Sequence, residues 1–168
     1  MPQPMPKSPE QLKLLDDKDR LLLRLLQQNS RISSAELARQ LNLSPPGLQK
    51  RLKRLEENGF IEGYVTLVNR EALGLDLLCF TQVTLSHQQP ECVGLFCERV
   101  KDLPEVLECH HLTGEFDYLL KVVVPNSQQL EQFLAKKVRT LPGVDKIRTS
   151  IVLSEVKSST PLPLETSE

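Results

Sequence analysis

The sequence lacks any apolar run long enough to cross a membrane. Runs such as Leu21–Leu23 and Val122–Val124 are far shorter than the roughly 20 residues that a spanning helix needs. The first residues, MPQPMPKSPEQLK, are polar and rich in proline, without the apolar core of a signal peptide. We therefore expect a cytoplasmic protein with no membrane partner.

The sequence also lacks the common motifs of catalysis and metal binding. It has no glycine-rich phosphate loop and no recognisable pair of nucleophile and base. Its four cysteines, Cys79, Cys92, Cys97 and Cys109, do not have the paired spacing of zinc sites, and we interpret them as free thiols in a reducing compartment. We expect no cofactor and no metal ion.

The chain has almost no net charge, but its charges are unevenly distributed. The net charge is −1, which by itself indicates no partner. Residues 13–64 carry ten Lys/Arg and seven Asp/Glu, whereas residues 65–168 carry ten and fourteen. Between Arg39 and Arg54 there are five cations and no acid. Such a basic stripe on a neutral chain is typical of a DNA-binding module joined to another domain.

The basic stripe lies in a segment with three successive helix-start signals. Asp16, Ser33 and Ser44 are residue types that cap helix N-termini. Glu36 stands where it would complete a capping box with Ser33. Asn42, which tolerates the left-handed conformation, predicts a tight turn between the second and third helices.

The third predicted helix is amphipathic and basic. Pro45 and Pro46 suit its first positions because the N–H groups there have no acceptor within the helix. Its apolar stripe consists of Leu48, Leu52 and Leu55. Two helices joined by a tight turn, the second one basic, indicate a helix-turn-helix, and FIEGYVTLVN after it predicts a two-stranded wing. The alternative is an amphipathic helix whose basic face is only solvated.

The second half of the chain predicts the order β-α-β-β-α-β. Leu103-Pro104-Glu105-Val106 and Leu141-Pro142-Gly143-Val144 each follow a helix and lead into a strand, 38 residues apart. Two such halves form a ferredoxin-like sandwich, in which two helices cover one face of an antiparallel sheet. We therefore predict an α+β protein, with a winged helix-turn-helix followed by a ferredoxin-like βαββαβ domain.

The other face of that sheet has no covering element in the sequence. We expect it to be apolar, formed by Leu78 and Phe80 or by Val83 and Leu85, together with Leu120 and Val122. A second copy of the chain is expected to cover it.

Five segments are predicted along the chain. Residues 1–13 form a disordered N-terminus, and 14–68 a DNA-binding domain. Residues 69–76 are a linker, and 77–154 form a domain for effector binding and oligomerisation. Residues 155–168 have turn formers and no periodicity, and we expect a disordered tail.

Two segments carry a resemblance to a known family. LDDKDRLLLRLLQQNSRISSAELARQLNLSPPGLQKRLKRLEENGFIEGYVTLVNREALG resembles the N-terminal half of the leucine-responsive/asparagine regulator (Lrp/AsnC) family of prokaryotic transcription factors. CHHLTGEFDYLLKVVV resembles the core of that family's C-terminal amino-acid-metabolism regulation (RAM) domain. The resemblance implies a transcription regulator, not an enzyme. It also implies a pseudo-palindromic operator in double-stranded DNA, a homodimer or higher oligomer, and an amino acid or related small molecule as effector.

The recognition helix departs from the family pattern at two places. Asn42 stands where members commonly have glycine, and it can adopt the same backbone angles. Pro45, Pro46 and Gly47 stand where polar or β-branched residues are more common, which leaves fewer side chains to read bases.

The resemblance assigns DNA contacts by position. Gln49, Lys50 and Arg54 are the candidates for the groove, and Arg51 and Lys53 for phosphates. Ser44 and the amides after it are expected to hold a phosphate at the helix N-terminus. The full set of DNA-binding candidates is Arg31, Arg39, Ser44, Pro46, Gly47, Gln49, Lys50, Arg51, Lys53 and Arg54. For each, the alternative is a solvated side chain without a DNA contact.

The resemblance also places the effector near the turn LTGEFD. Gly114 permits a close approach of the backbone, and Thr113 with exposed amides suits an α-carboxylate. Glu115 or Asp117 suits an ammonium group. The alternative is an ordinary hairpin turn, in which Thr113 and Asp117 only satisfy local backbone groups.

Cys109-His110-His111 leaves a different class of function open. In a strand, Cys109 and His111 share a face and His110 opposes them, so the three side chains do not converge on a metal. Some proteins on this regulator scaffold resemble catalysts of tetrapyrrole modification. A tetrapyrrole-modifying or haem-binding enzyme that uses His110 and His111 is therefore the alternative function, and it would not need the basic helix.

Overall fold

The computed structural model describes residues 15–86, 90–158 and 161–164. The predicted disordered N-terminus, residues 1–13, lies outside this part of the chain. The chain divides into two compact units, Met1–Leu67 with Lys157–Glu168, and Val68–Val156. Within the described residues, no helix combines the length and apolar character needed to cross a bilayer.

Among its described residues, the first unit contains three helices, as predicted. They are α1 (Asp17–Gln28), α2 (Ser34–Gln40) and α3 (Pro45–Glu57). Their apolar faces meet in one core, formed by Leu22, Leu23, Leu37, Ala38, Leu41, Leu48 and Leu55.

The predicted N-caps of these helices are confirmed. The Asp16 carboxylate accepts a hydrogen bond from the Asp19 backbone N–H at 2.8 Å. Ser33 Oγ accepts one from the Glu36 N–H at 3.1 Å, and Ser44 caps α3 in the same way.

The capping box, however, forms on a different helix from the one predicted. At α1, Asp19 Oδ2 also accepts from the Asp16 N–H at 3.1 Å, so that pair is reciprocal. The box predicted for Ser33 and Glu36 is wrong, because the Glu36 carboxylate binds the Arg39 guanidinium on the same helix instead.

The tight turn between α2 and α3 is confirmed. Asn42 has φ 49°, the left-handed conformation that its short polar side chain tolerates. Gly59 follows α3 with φ 67°, and the Phe60 N–H then bonds back to the Leu55 carbonyl at 2.8 Å. Both turns therefore arise from residue types that accept positive φ.

The strand pair predicted within FIEGYVTLVN does not form. Residues 61–69 contain no strand, and Val65, Leu67 and Val68 are 76%, 78% and 70% exposed. The segment has the composition of a strand, but it meets no partner strand among the described residues, and isolated strands are not stable.

The second unit has the predicted order β-α-β-β-α-β. Its elements are β1 (Leu77–Leu85), α4 (Pro90–Lys101), β2 (Val106–His111), β3 (Tyr118–Val124), α5 (Ser127–Phe133) and β4 (Val144–Ile151). A π-helical turn, Leu134–Val138, continues α5. The strands form one antiparallel sheet in the order β2-β3-β1-β4.

Both helices of this unit pack on one face of the sheet. Phe96 and Phe133 from the helices join Val83, Leu120 and Val122 from the strands in one core. The prediction that Leu120 and Val122, or Val83 and Leu85, form the uncovered face is therefore wrong. Side chains alternate along a strand, and these residues have the register that faces the helices.

The uncovered face is more polar than predicted. It includes Phe80, which is 36% exposed, and Leu78, which is only 4% exposed, but also ionisable side chains. Lys121 lies beside Phe80 in the register, and its Nζ contacts Glu108 Oε1 at 2.9 Å. Glu108 Oε2 lies 3.0 Å from His110 Nε2. This face therefore combines a small apolar area with a charged group at its β2 edge.

Part of the predicted disordered tail contacts the first unit. Leu164 is partly buried against the helical core, and Leu162 hydrogen-bonds to Gln27 on α1. The segment PLPL has no periodicity that predicts this contact.

Candidate nucleic-acid interface

The outer face of α3 is polar and exposed. Pro46, Gln49, Lys50 and Lys53 recur at the three- and four-residue spacing of one helical face, and each is exposed. The buried leucines of α3 lie on the opposite side. This face therefore presents one amide and two ammonium groups to solvent, without an acid among them.

The acids of α3 lie only at its C-terminal end. Lys53 Nζ is 3.7 Å from Glu57 Oε1, and both side chains are more than half exposed, so this pair is weak and easily exchanged. Glu56 accepts a hydrogen bond from Tyr64 Oη at 3.0 Å. The N-terminal two turns of the outer face present Pro46, Gln49 and Lys50 and carry no acid.

The guanidinium groups of Arg51 and Arg54 are directed away from this outer face, although Arg54 stands four residues after Lys50. Arg51 Nη1 lies 2.6 Å from Asp16 Oδ2 and 2.8 Å from Asp19 Oδ1. Arg54 Nη2 forms an ion pair with the other oxygen of Asp19. The structure thus directs both arginines, predicted as DNA contacts, to the N-terminus of α1.

The electrostatics of this group are those of tight ion pairs. Asp19 is 0% exposed. Partial burial raises the pKa of Asp16, but the hydrogen bond from Arg51 and the Asp19 N–H outweigh it and hold that pKa below its usual range. The hydrogen bonds to Asp16 and Asp19 raise the pKa of Arg51. Asp16 and Arg51 therefore stay charged at neutral pH.

The N-terminus of α3 has no N–H group directed to a phosphate. Pro45 and Pro46 have no N–H. The Gly47 N–H donates to Ser44 Oγ at 3.3 Å, and the Leu48 N–H donates to the Ser44 carbonyl at 2.9 Å. A Cβ at Gly47 would lie 3.2 Å from Ser44 Oγ, so the glycine serves the cap. The Gly47 and Leu48 N–H groups are therefore both bonded to Ser44, and the phosphate site at Ser44 and Gly47 stays a prediction.

Arg31 and Arg39, the two arginines predicted to contact DNA from outside α3, differ in their surroundings. The Arg39 guanidinium binds both carboxylate oxygens of Glu36, with Nε–Oε2 at 2.9 Å and Nη2–Oε1 at 2.5 Å. Hydrogen bonds from Arg39 and Gln40 lower the pKa of Glu36 to about 2, so the charge of Arg39 is balanced locally. Arg31 is exposed in the turn before α2.

Sequence reasoning missed Asp16 and Asp19 as partners of the recognition helix. A signal was present, because the two acids are three residues apart on α1, as Arg51 and Arg54 are on α3. Equal spacing on two helices predicts ion pairs between them only when it is known that these two faces pack against each other.

The turn predicted to bind an effector connects β2 and β3. Gly114 has φ 123°, a conformation that favours glycine, and a Cβ there would meet no atom within 4 Å. Thr113 and Glu115 are exposed beside it. The turn therefore offers a hydroxyl and a carboxylate around an open glycine.

Asp117 bonds to backbone groups on both sides of the turn. Its Oδ2 accepts a hydrogen bond from the Leu85 N–H at 2.7 Å. Its own N–H bonds to the Val83 carbonyl at 3.0 Å, and its carbonyl accepts from Leu112 at 2.8 Å. Asp117 therefore ties the turn to the end of β1, whereas the alternative interpretation of the turn expects it to satisfy only local backbone groups.

The residues Cys109, His110 and His111 do not form one site. His111 stacks on Tyr118 with ring centroids 4.9 Å apart, whereas His110 binds Glu108 on the uncovered face. Cys109 is exposed when the whole residue is counted. Its thiol group is nevertheless desolvated, and this desolvation together with the nearby Cys97 raises the pKa of Cys109 to about 11. Among the described residues, no three metal-ligating side chains cluster.

Family models match both units. A model described as winged helix-turn-helix DNA-binding matches residues 15–62. A model described as Lrp/AsnC ligand binding domain matches residues 78–162. These two models together account for nearly all of the described chain.

Known proteins match over most of their length. The leucine-responsive regulatory protein of Escherichia coli K12 is 42% identical over 152 residues, which is 90% of this chain and 93% of that protein. The crystal structure of a Neisseria meningitidis transcriptional regulator in complex with L-Met has a TM-score of 0.85 at 35% identity, covering 89% of this chain and 97% of that one. E. coli AsnC has a TM-score of 0.81 at 29% identity, covering 89% and 99%.

Proposed function

The chain belongs to the Lrp/AsnC family of DNA-binding transcriptional regulators, and from this we propose that α3 enters the major groove with its exposed face. The observation that carries the proposal is the exposed face of Gln49, Lys50 and Lys53, on which acids such as Glu57 stand only at the C-terminal end of the helix. The enzyme alternative has no support, because the relatives are regulators and His110 and His111 point to opposite faces.

The side chains of this face suit different contacts. Gln49 carries both a donor and an acceptor, so it can pair with a base edge in the major groove. Lys50 is the next residue along the helix and is our second candidate for a contact in the major groove. Lys53, further along the helix, is our candidate for a phosphate, since lysine is a mobile point charge. Pro46 would contact the DNA through apolar surface only.

Salt dependence of DNA binding tests the proposal. Each phosphate contact releases counterions, so the affinity of the full-length protein should fall steeply with salt. Lys53→Gln should reduce the salt slope by about one unit on every DNA sequence, whereas Lys101→Gln, at an exposed position on α4, should leave it unchanged. Binding that does not depend on salt would contradict the proposal.

We propose that the uncovered face of the sheet joins two copies of the chain. Both helices of this domain lie on the other face, and Phe80 remains 36% exposed in the middle of the sheet. A two-fold dimer would carry two copies of α3, which suits two half-sites about 34 Å apart, or a multiple of that, on a pseudo-palindromic operator. Dimers of this kind can assemble further into higher oligomers.

We propose that an amino acid binds at the turn around Gly114. The match to a ligand-binding domain and the L-Met complex of the Neisseria regulator support this class of effector. Thr113 and the exposed backbone would take the carboxylate, and Glu115 the ammonium group. Asp117 would hold the turn in shape, since its carboxylate already accepts a backbone N–H.

We further propose that the functional division follows the predicted boundaries. Residues 14–68 would bind DNA, and residues 77–154 would bind the effector and form the oligomer. The spans of the two family models support this division. A DNA-binding regulator of this kind acts where the DNA is, so we propose a cytoplasmic location.

A further inference from the structure

Asp19 on α1 is a fully buried carboxylate, although it lies at the start of a surface helix. It is 0% exposed, and both its oxygens bind arginines of α3, Arg51 to Oδ1 and Arg54 to Oδ2. A buried carboxylate is costly unless it is paired and hydrogen-bonded. The two arginines therefore satisfy a charge that the rest of the helical core cannot.

The ion pairs constrain how α3 rotates about its own axis. Asp16 and Asp19 are three residues apart on α1, and Arg51 and Arg54 are three residues apart on α3, so the two helices are joined at successive turns. The hydrophobic contacts of leucines are not directional, whereas a carboxylate–guanidinium pair fixes both distance and orientation.

The fixed rotation determines which side chains face outward. With Arg51 and Arg54 held toward α1, Gln49, Lys50 and Lys53 lie on the exposed side of α3. Successive residues of a helix are separated by about 100°. A rotation of α3 by about 100° would therefore put the next residue in the place of Gln49, and a rotation by part of that angle would already turn Gln49 away from a base edge.

On this geometry, and resting on the proposed DNA-binding function, we infer that Arg51 and Arg54 are positioning residues that orient the recognition helix through Asp19. They do not contact DNA phosphates. The Arg54 side chain is 45% exposed, so a phosphate could reach it. The assignment of Arg54 as a phosphate contact can therefore be tested against its assignment as a positioning residue.

The salt slope of DNA binding separates the two roles. Arg54→Gln should weaken the binding of the full-length protein about tenfold, as expected for coupling within one ion-pair network, and equally at every salt concentration. A phosphate contact would instead lower the salt slope by about one unit. Lys53→Gln, one residue away, is the matched control whose slope should fall.

A double-mutant cycle locates the effect at Asp19. In an Asp19→Asn background, Arg54→Gln should cause little further loss, because the interaction through which it acts is already gone. Each variant is first melted, so that affinities are compared on folded protein. A full additional loss in that background, a lowered slope, or no loss in folded Arg54→Gln protein would overturn the inference.

An apolar replacement keeps the inference testable if single variants do not fold. Buried ion-pair triads exchanged for well-packed apolar residues often retain or gain stability. The triple variant Asp19→Leu/Arg51→Met/Arg54→Met should therefore bind DNA with the wild-type salt slope, and a slope lower by about two units would overturn the inference. Wild-type protein that fails to bind DNA would instead overturn the proposed function itself.

Discussion

Gln27 on α1 and Leu162 in the tail form a two-way pair. Gln27 Nε2 donates to the Leu162 carbonyl at 3.2 Å, and Gln27 Oε1 accepts from the Leu162 N–H at 2.6 Å. The side-chain amide thus pairs with one residue of an extended backbone as a neighbouring strand would. This pair and the partly buried Leu164 return the C-terminal segment to the helical core.

Removal of this pair should loosen the helical unit. Gln27→Ala should lower the stability of α1 by about 1 kcal/mol, since two solvent-accessible hydrogen bonds are lost. Native-state hydrogen exchange of the Leu22 and Leu23 amides measures the effect. Gln28→Ala, at the adjacent exposed position, is the control and should leave the exchange rates as they are. Equal rates in both variants would show that the tail does not stabilise α1.

Glu36 should make the stability of the protein sensitive to acid. Its folded pKa is about 2, below the ordinary value of 4.5, so its stabilising contribution is complete above pH 4.5 and disappears as the pH falls to about 2. Glu36→Gln should therefore melt at a lower temperature than wild type at pH 7, and the difference should vanish by about pH 2. A difference that stays constant with pH would exclude the ion pair as its cause.

Phe80 should control dimerisation. Phe80→Lys places a second ammonium group beside Lys121 at the centre of the uncovered sheet face, and an unpaired buried charge costs about 3–5 kcal/mol. The Kd of the dimer of the full-length chain should then be at least about 100-fold higher than in wild type, as measured by sedimentation velocity. Leu95→Glu, on an exposed apolar residue of α4, should leave the dimer intact. If both variants sediment as wild type, the interface lies elsewhere.

Glu115 should contribute to effector affinity. Calorimetry of the wild type with the common amino acids, L-methionine among them, identifies a ligand. Glu115→Gln should weaken its binding about 10–100-fold, since hydrogen bonds to charged groups contribute about 1.5–3 kcal/mol. Glu131→Gln, at an exposed position on α5, is the control. Unchanged affinity in Glu115→Gln would remove the turn as the ammonium site.

The local features of the fold were predictable because single residues determine them. Asp16, Ser33 and Ser44 cap helices through their own side chains, and Asn42 adopts positive φ through its own backbone preference. The order of strands and helices in the second domain was predictable for a different reason, since the period of the apolar residues changes at each element.

Features that depend on a distant partner were not predictable. The cations of α3 look alike in sequence, yet Arg51 and Arg54 bind Asp19 while Lys53 faces solvent, and only the packing of α1 on α3 separates them. Residues 61–69 have strand composition without a partner strand among the described residues. The bond from the Leu85 N–H to the Asp117 carboxylate joins residues that are far apart in sequence, so the turn sequence alone does not predict it.

The central claim is that two copies of α3 read a symmetric operator through their exposed faces. The most direct measurement is selection of bound sequences from a random pool of double-stranded DNA by the full-length protein. We predict an enriched inverted repeat whose half-site centres are about 10–10.5 base pairs, or a multiple of that, apart. Gln49→Ala should relax the preference at matching positions in both half-sites. An unenriched pool, or an enriched sequence without two-fold symmetry, would contradict the account.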